Sequence, residues 1–315
     1  MRHLPGAIRI LAIAGLLTAG FVSDGWSVAH ALEFSKYHSQ QEISAWLREL
    51  AAENPELASF TVLGKSTRDR EIAYVRITSS RDANPPAIYI NGTHHGNEKS
   101  STESVLALTD YLVENAASAE VAPILERFEI YLQPLVNPDG HAANTRGDAY
   151  GRDPNRDYAG PEKPDSESFR IPEIQLVRKL VDTKRFRAAI AWHSGMEGVL
   201  WPWCHTPTAP LHARVFAAIS KLSAEAMGMK LARQSWYDYP TSGEFTDYAY
   251  QRHGTLAVTF EASTEGTPPE ERLDEITRRA VRGGVTFLRE ILRLEQEQQN
   301  LGMELNSARG RGSRS

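Results

Sequence analysis

The chain has 315 residues, of which 41% are hydrophobic and 24% are charged, proportions that are ordinary for a globular protein. Its formal net charge of -5 at pH 7 argues against nucleic acid as a partner, and no apolar run reaches the ~18 residues of a membrane span. The single cysteine, Cys204, excludes an internal disulfide. Stability must therefore come from the core and from any bound metal.

The first 31 residues differ in kind from the rest of the chain. Arg2 and Arg9 precede an apolar stretch over 10–22, and Ala29-His-Ala31 matches the small-residue pattern of a cleavage site. This order predicts a secretory signal peptide over residues 1–31. An uncleaved anchor is the alternative, but the apolar stretch is short for a bilayer. We expect a secreted or periplasmic protein with no stable membrane insertion after cleavage.

The first half of the remaining chain predicts a helix, three strands, a second helix and a fourth strand. Ser39 and Glu42 form the pattern of a capping box, and apolar residues follow at helical spacing in a helix that ends near Asn54. The later elements are predicted as strands over 60–63, 71–78 and 87–91, a helix over 98–115 and a strand over 128–136. Asn137-Pro-Asp-Gly140 then gives a strong turn signal.

Residues 140–172 are rich in Gly, Pro, Asp and Asn and show little apolar periodicity. A segment of this length is either disordered or an active-site loop, and Asp153-Pro-Asn-Arg156 at its centre favours the loop. The elements predicted after it are a helix over 172–184, a strand over 188–193, helices over 209–227 and 245–252, a strand over 255–260 and a helix over 269–297. Residues 301–315 are predicted to form a disordered tail.

Strands therefore alternate with helices along the chain, and the central strands are continuously apolar. This pattern predicts an α/β fold in which helices cover both faces of one sheet. Residues 32–300 show neither an internal repeat nor a linker. We expect them to form a single domain.

Three predicted strand ends carry residues suited to catalysis. His95 and Glu98 follow one strand, His193 closes a second and Glu261 follows a third. Ligand sites in α/β sheets lie at the carboxyl ends of strands, so these side chains are expected to converge. A histidine and a glutamate are too few for catalytic zinc, which takes three protein ligands and an open position. Taken alone, His193 is more often a hydrogen-bonded core residue.

With these residues the chain resembles the zinc carboxypeptidases of the carboxypeptidase A-like metallopeptidase family. The motifs fall in the family's order and span residues 37–290. They are His95-Gly-Asn-Glu98, Asn137-Pro-Asp-Gly140, Arg146, Asp153-Pro-Asn-Arg156, His193-Ser194, Tyr239 and Phe260-Glu261. The resemblance implies a mixed, mostly parallel, twisted sheet and one zinc ion per chain.

The resemblance also implies the roles of the residues around the metal. His95, Glu98 and His193 match the three zinc ligands, which leaves the fourth position for water. Glu261 matches the general base that takes the proton of this water and passes it to the leaving amine. His94 is a competing imidazole, four residues before Glu98, but the family pattern selects His95.

Four further residues match family positions that contact the substrate or a metal-ligating histidine. Arg146 matches the arginine that stabilises the oxyanion, and Asn155 with Arg156 matches the pair that binds the terminal carboxylate. A guanidinium suits this role because its planar fork binds a carboxylate through two hydrogen bonds. Asp153 matches the carboxylate that orients a ligating histidine.

The remaining matches concern the walls of the substrate site. Tyr239 matches a mobile tyrosine that closes over substrate, although Tyr237 lies close enough to compete for this role. Ser194 and Thr246 are expected to contact substrate. Thr246 lies where the family tunes its specificity pocket, and it is neither a bulky aliphatic residue nor an acid. Asn97 replaces an arginine found in many relatives, which changes the contacts upstream of the cleaved bond.

These residues predict a metallocarboxypeptidase that removes the last residue of peptides with a free C-terminal carboxylate. Two other activities on the same fold remain alternatives: a peptidoglycan-stem peptidase and a deacylase of N-acyl amino acids. A noncatalytic zinc-binding module is an alternative of another class. Such modules usually lack a ligand or the base, and here none is missing.

Overall fold

The computed structural model describes the backbone of residues 32–312 and the side chains of residues 32–300. The predicted signal peptide, residues 1–31, lies outside the described residues. Over residues 32–312 no helix combines the length and the apolar character that a membrane crossing requires.

Eight strands form one mixed sheet. They are β1 (Ala58–Lys65), β2 (Glu71–Ile77), β3 (Ala87–Gly92), β4 (Glu129–Gln133), β5 (Ala188–His193), β6 (Met196–Trp201), β7 (Ala232–Gln234) and β8 (Leu256–Ser263). Their spatial order is β1-β2-β4-β3-β5-β8-β6-β7. The central strands β4, β3, β5 and β8 are parallel to one another, and the β1/β2, β2/β4 and β8/β6 pairs are antiparallel.

Eight α-helices accompany the sheet in the described part of the chain. They are α1 (Gln40–Glu53), α2 (Lys99–Glu114), α3 (Ala122–Arg127), α4 (Pro138–Ala143), α5 (Pro172–Lys184), α6 (Ala213–Ala226), α7 (Phe245–His253) and α8 (Leu273–Gly312). The predicted capping box of α1 is present, because Ser39 and Glu42 exchange side-chain to backbone hydrogen bonds. This box fixes where the first helix begins.

Side chains of the central strands alternate between two apolar layers. On β3, Ile88 and Ile90 pack in a layer with residues of α1, α2, α6 and α8. Tyr89 faces the opposite layer, which includes residues of α5 and α7. All six residues of β3 are buried, as expected for a strand with helices on both sides. The predicted α/β fold, with a mixed sheet covered on both faces, is therefore confirmed.

Four elements were not predicted: α3, α4, β6 and β7. Helix α4 begins within the predicted turn, because the Asn137 side chain accepts a hydrogen bond from the Gly140 backbone and so caps a short helix. Strand β7 has only three residues, too few to show an alternating pattern. Strand β6 contains Glu197 and Gly198, which weaken the apolar signal.

The C-terminal end also differs from the prediction. Helix α8 continues to Gly312, whereas the sequence predicts a disordered tail over 301–315. Residues 294–308 are mostly Leu, Glu, Gln, Met and Ala, which are good helix formers. Their low apolar content suggested disorder, but their helix propensity allows α8 to extend.

Candidate metal centre

The strand order brings the three predicted strand ends to one edge of the sheet. Strands β3, β5 and β8 are adjacent and parallel, so their carboxyl ends lie together. His193 at the end of β5 is the direct neighbour of Glu261 on β8. Gly92 at the end of β3 pairs with Trp192, which places the following loop beside His193.

Two glycines hold the loop after β3 against the turn after β4. A Cβ atom on Gly96 would lie only 1.9 Å from the carbonyl carbon of Gly140. The two backbones are therefore in direct contact, which only glycine allows. The Asn137 amide donates hydrogen bonds to the carbonyl oxygens of His94 (3.1 Å) and Gly147 (3.0 Å). This packing sets the direction in which His95 and Glu98 leave the loop.

His95, Glu98 and His193 converge on one point, and all three side chains are buried. The Nδ1 atom of His95 lies 2.8 Å from Oε1 of Glu98. The Nδ1 atom of His193 lies 2.9 Å from Oε2 of Glu98 and 3.2 Å from Nδ1 of His95. One ligand atom from each residue thus lies within 4.8 Å of the other two. We refer to these three residues as the ligand triad.

The ligand triad fits a zinc ion. Two imidazole nitrogens and one carboxylate oxygen match the donor set of catalytic zinc sites, which keep a fourth position open. The Nδ1 atoms of His193 and His95 face each other at 3.2 Å. This arrangement fits a cation shared by the two rings better than a direct hydrogen bond between them. Among the side chains of residues 32–300, no other set of three His, Cys, Asp or Glu residues meets in this way.

The electrostatics of the triad favour a cation. Burial lowers the pKa of His95, but Glu98 and Asp153 outweigh this effect and raise the pKa to about 9. Burial raises the pKa of Glu98, but the charges of His193 and His95 prevail and hold it well below its usual range. The Glu98 carboxylate is therefore ionised, and its charge attracts positive charge to this point.

Asp153 orients the His95 ring. Its Oδ1 atom lies 3.0 Å from Nε2 of His95, and its Oδ2 atom accepts a hydrogen bond of 3.0 Å from Nε of Arg146. The Asn155 backbone amide donates to Oδ1 at 2.9 Å. A carboxylate on Nε2 keeps the proton there and leaves Nδ1 for a metal. This contact agrees with the orienting role expected of Asp153.

His94 faces away from the triad. Its Nε2 atom lies 2.8 Å from the Tyr158 hydroxyl, and its ring stacks on His193 with the centroids 5.5 Å apart. Burial lowers the pKa of His94, and the neighbouring His193 and His95 lower it further. His94 is thus a neutral ring that packs behind a candidate ligand.

Glu261 lies beside the triad and lines the same cleft. Its Oε2 atom is buried and has no hydrogen-bond partner among the described side chains and backbone. Burial raises the pKa of Glu261 well above its usual value, and the negative charge of Glu98 raises it further. A divalent cation on the triad would oppose this rise. The Oε2 atom of Glu261 is therefore available for a new hydrogen bond, and the raised pKa favours the protonated carboxyl group.

The cleft above the triad has a volume of about 240 Å³ and is also lined by Arg146, Asn155, Arg156 and Tyr239. The Nη1 atom of Arg146 lies 3.6 Å from Oε1 of Glu98. The Asn155 amide nitrogen lies 3.4 Å from Nε2 of His193. The Arg156 guanidinium lies 5.4 Å from the ring centre of Tyr239, which is 51% exposed. These four predicted residues therefore meet in one cleft.

The other predicted substrate contacts divide between the cleft and its surroundings. Ser194 lines the cleft, and its backbone amide donates to Oε2 of Glu98 at 3.1 Å. Thr246 is buried and does not line the cleft; its hydroxyl lies 3.8 Å from the Cys204 sulfur. Tyr237 is 60% exposed and also lies outside the lining.

Six lining residues were missed by sequence reasoning. They are Gly195, Met196, Leu200, Ser235, Glu244 and Thr259. Strand β6, which carries two of them, had no clear pattern. Glu244 directly precedes the predicted helix over 245–252. Nothing in the sequence indicated that its side chain faces the cleft.

Comparisons with known proteins identify the family of the chain. A family model described as zinc carboxypeptidase matches residues 43–283. Zinc carboxypeptidase A 1 of Anopheles gambiae is 28% identical over 269 residues, which are 74% of this chain and 61% of that protein. Carboxypeptidase B of Astacus astacus is 27% identical over 212 residues, 57% of this chain and 68% of that protein.

Solved structures show the same fold. The carboxypeptidase A from Helicoverpa armigera aligns with a TM-score of 0.76 and 21% identity, over 85% of this chain and 77% of that one. The metallo-carboxypeptidase from Burkholderia cenocepacia aligns with a TM-score of 0.66 and 18% identity, over 80% and 70%.

Proposed function

Because the chain belongs to the zinc carboxypeptidase family, we propose that it hydrolyses the C-terminal peptide bond of peptides and holds one zinc ion on His95, Glu98 and His193. The observation that carries this proposal is a single cleft. It combines the ligand triad, the unpartnered carboxylate oxygen of Glu261 and the Asn155-Arg156 pair. A metal, a base and an anion-binding pair are the parts that such a reaction needs.

Zinc on the triad would act as a Lewis acid that polarises the scissile carbonyl and makes water more acidic. Glu261 would take a proton from the attacking water through its free Oε2 atom. The same carboxyl group would then give this proton to the leaving amine. Arg146 would donate hydrogen bonds to the oxygen that gains negative charge, while Asp153 holds this guanidinium in place.

The Asn155-Arg156 pair supports cleavage at the C-terminal end. A substrate carboxylate bound to the Arg156 fork fixes the last residue of the peptide at the inner end of the cleft. The peptide bond before that residue then lies beside the triad. An internal segment of a chain has no such carboxylate, so the enzyme would act on the terminal residue.

A substrate panel tests the proposed reaction. We expect zinc-loaded protein to hydrolyse N-blocked dipeptides with a free C-terminal carboxylate and to act poorly on the same dipeptides as C-terminal amides. Peptidoglycan stem fragments and N-acyl amino acids belong in the same panel, because those activities need the same base and metal. Release of amino acids from wall fragments or acyl derivatives alone would reject the peptidase proposal.

Substitution of Arg156 by alanine is expected to harm one class of substrate selectively. Loss of a charged, bidentate hydrogen bond costs about 1.5–3 kcal/mol, so kcat/KM for free-carboxylate dipeptides should fall by roughly 10–100-fold. Amidated dipeptides should change much less. Arg170→Ala is the matched control, because Arg170 is exposed and lies outside the cleft lining. Equal losses for both substrate classes would refute the carboxylate clamp.

We also propose that the protein acts outside the cytoplasm. The N-terminal pattern of Arg2, Arg9 and the apolar stretch supports export. Amino-terminal sequencing of protein recovered from the periplasm or medium should begin at Leu32. Recovery of intact Met1 in the cytoplasmic fraction would exclude cleavage.

A further inference from the structure

A second cavity, of about 600 Å³, lies at the opposite end of the sheet from the ligand triad. Its lining includes Ala87 and Glu129, the first residues of β3 and β4, and Arg187, which directly precedes β5. The ligand triad lies at the other ends of β3 and β5. The 6 residues of β3 span about 20 Å, so the two sites are separate. We refer to this second cavity as the basal groove.

Cations outnumber acids in the lining of the basal groove. The charged lining residues are Arg76, Lys184, Arg185 and Arg187 against Asp82 and Glu129. Four cations against two carboxylates leave two positive charges in excess, in a chain whose formal net charge is -5. Helix α5 ends at Lys184, and its C-terminal end contributes about half a negative charge. This partial charge reduces the excess and does not cancel it, so the groove attracts anions.

Two of the cations share Glu129. Nζ of Lys184 donates to Oε1 of Glu129 at 3.2 Å, and Nη1 of Arg76 donates to Oε2 at 3.3 Å. The Glu129 side chain is only 8% exposed, whereas those of Arg76 and Lys184 are 40% and 38% exposed. The acid is therefore buried behind its two partners, and its single negative charge compensates only one of them. An anion that enters the groove meets the cations and not the acid.

Arg187 is in a similar position. It shares Glu295 of α8 with Arg127, and its Nη2 atom donates to Oε1 of Gln298 at 2.8 Å. Its Nη1 atom makes no hydrogen bond within the described part of the chain. Because a guanidinium has five N–H donors, Arg187 keeps donors for a ligand.

Arg185 is exposed, and its side chain makes no ion pair with the side chains of residues 32–300. Its backbone is left-handed, with a φ of +51°, at the residue after α5. The backbone amide donates to the Val181 carbonyl oxygen at 2.9 Å, which fixes this turn. Glycine and asparagine are favoured in this conformation. The arginine therefore costs some stability and adds an unpaired cation to the groove.

The excess charge fits a phosphate group better than a carboxylate. A phosphate monoester carries about two negative charges at pH 7 and three terminal oxygens, which matches the two positive charges in excess. Guanidinium forks bind such oxygens in pairs. A carboxylate brings one charge and two oxygens and would leave one cation uncompensated. The lining also offers the Thr78 and Ser80 hydroxyls and the Asn84 amide as polar groups.

From this arrangement we propose that the basal groove binds a dianionic phosphate group, borne by a soluble phosphomonoester or by a lipid headgroup. Arg76, Arg185 and Arg187 supply guanidinium forks, and Lys184 adds a point charge. The site lies apart from the cleft and does not depend on the proposed hydrolysis.

Calorimetric titration of the zinc-loaded protein with glycerol phosphate measures this binding. In Arg185→Gln the affinity should fall about tenfold or more, because charged hydrogen bonds to phosphate are strong. The unfolding temperature should stay the same, because the substituted side chain makes no ion pair with residues 32–300. Arg214→Gln is the matched control and should bind as the wild type does. Arg214 is exposed on α6 and lies outside the groove lining.

The arginines of the cleft also offer cations to this probe, so the titration is repeated in Arg156→Ala. Binding that persists in Arg156→Ala, and weakens when Arg185→Gln is added, lies in the basal groove. Equal affinity in Arg185→Gln and the wild type would overturn the proposal. Loss of all binding in Arg156→Ala would place the phosphate in the cleft and overturn it as well.

Vesicle flotation distinguishes the two sources of phosphate. Phosphatidylcholine vesicles that contain phosphatidate present the monoester at a surface, and vesicles without phosphatidate are the control. Flotation that requires phosphatidate and is lost in Arg185→Gln assigns a lipid headgroup to the groove. Calorimetric binding without flotation assigns a soluble ligand. Flotation that Arg185→Gln leaves unchanged would reject the groove as the site.

Discussion

Glu261→Gln is expected to keep its zinc and to lose nearly all turnover. A positioned general acid–base contributes roughly 10²–10⁴-fold in rate, so kcat should fall by that factor. KM should change little, because Glu261 is not part of the Asn155-Arg156 clamp. Glutamine has nearly the same shape as glutamate, and the affected Oε2 atom makes no hydrogen bond that the fold would lose. Steady-state kinetics on a free-carboxylate dipeptide provide the measurement.

The control for this variant is Glu265→Gln. Glu265 lies four residues further along the chain with its side chain 57% exposed beside Arg272, and it does not line the cleft. Its substitution should leave kcat within about twofold, as surface changes usually have small effects. Zinc content determined by elemental analysis must remain at one equivalent in both variants. Comparable turnover in Glu261→Gln and wild type would show that Glu261 is not the general base, whereas no turnover in either would favour the noncatalytic binding module.

Much of the site was predictable because each motif comes directly after an apolar strand. The sequence places His95, His193 and Glu261 at the ends of three strand-like runs, and parallel strands bring their carboxyl ends together. Periodicity alone did not show that the three strands are adjacent. The resemblance to a family supplied that step, and the β3/β5 and β5/β8 pairings confirm it.

Other features depend on contacts between distant segments, which local patterns do not encode. Glu244 is a member of the cleft because Gly243 packs against the carbonyl of Arg156, a contact between residues far apart in sequence. Thr246, which the family pattern suggested as a specificity residue, points to Cys204 instead of the cleft. Glu244 precedes α7 with an extended backbone, whereas Thr246 lies inside this helix. Two positions on one short segment therefore face different surroundings.

The two arginines that line the cleft are each paired with a carboxylate. Arg146 interacts with Asp153, and Asp153 in turn orients His95. Arg156 interacts with Glu244. Arg146 also lies 3.6 Å from Oε1 of Glu98, so it would share this carboxylate with the proposed metal. A substrate carboxylate bound at Arg156, as proposed, would compete with Glu244 for this guanidinium.

Removal of zinc is expected to abolish activity and to lower stability. Dialysis against a chelator should leave no measurable hydrolysis, and one equivalent of zinc should restore it. A ligand that binds only the folded state stabilises it by about 2.7 kcal/mol at 100 times its Kd, which is roughly 5–10 °C for a domain of this size. Thermal unfolding with and without zinc measures this shift. Full activity in protein shown to be free of metal would contradict the proposed mechanism.

The same substitution at two adjacent histidines identifies the ligand. His95→Gln removes a triad nitrogen, and zinc affinity should fall by more than the 10–100-fold expected for loss of an outer-shell partner. His94→Gln retains a polar group for the Tyr158 hydroxyl, which lies 2.8 Å from His94 Nε2, and should keep one equivalent of zinc with modest loss of stability. Competitive titration with a chromophoric chelator gives both affinities. Loss of zinc from the His94 variant alone would assign the metal to the other imidazole.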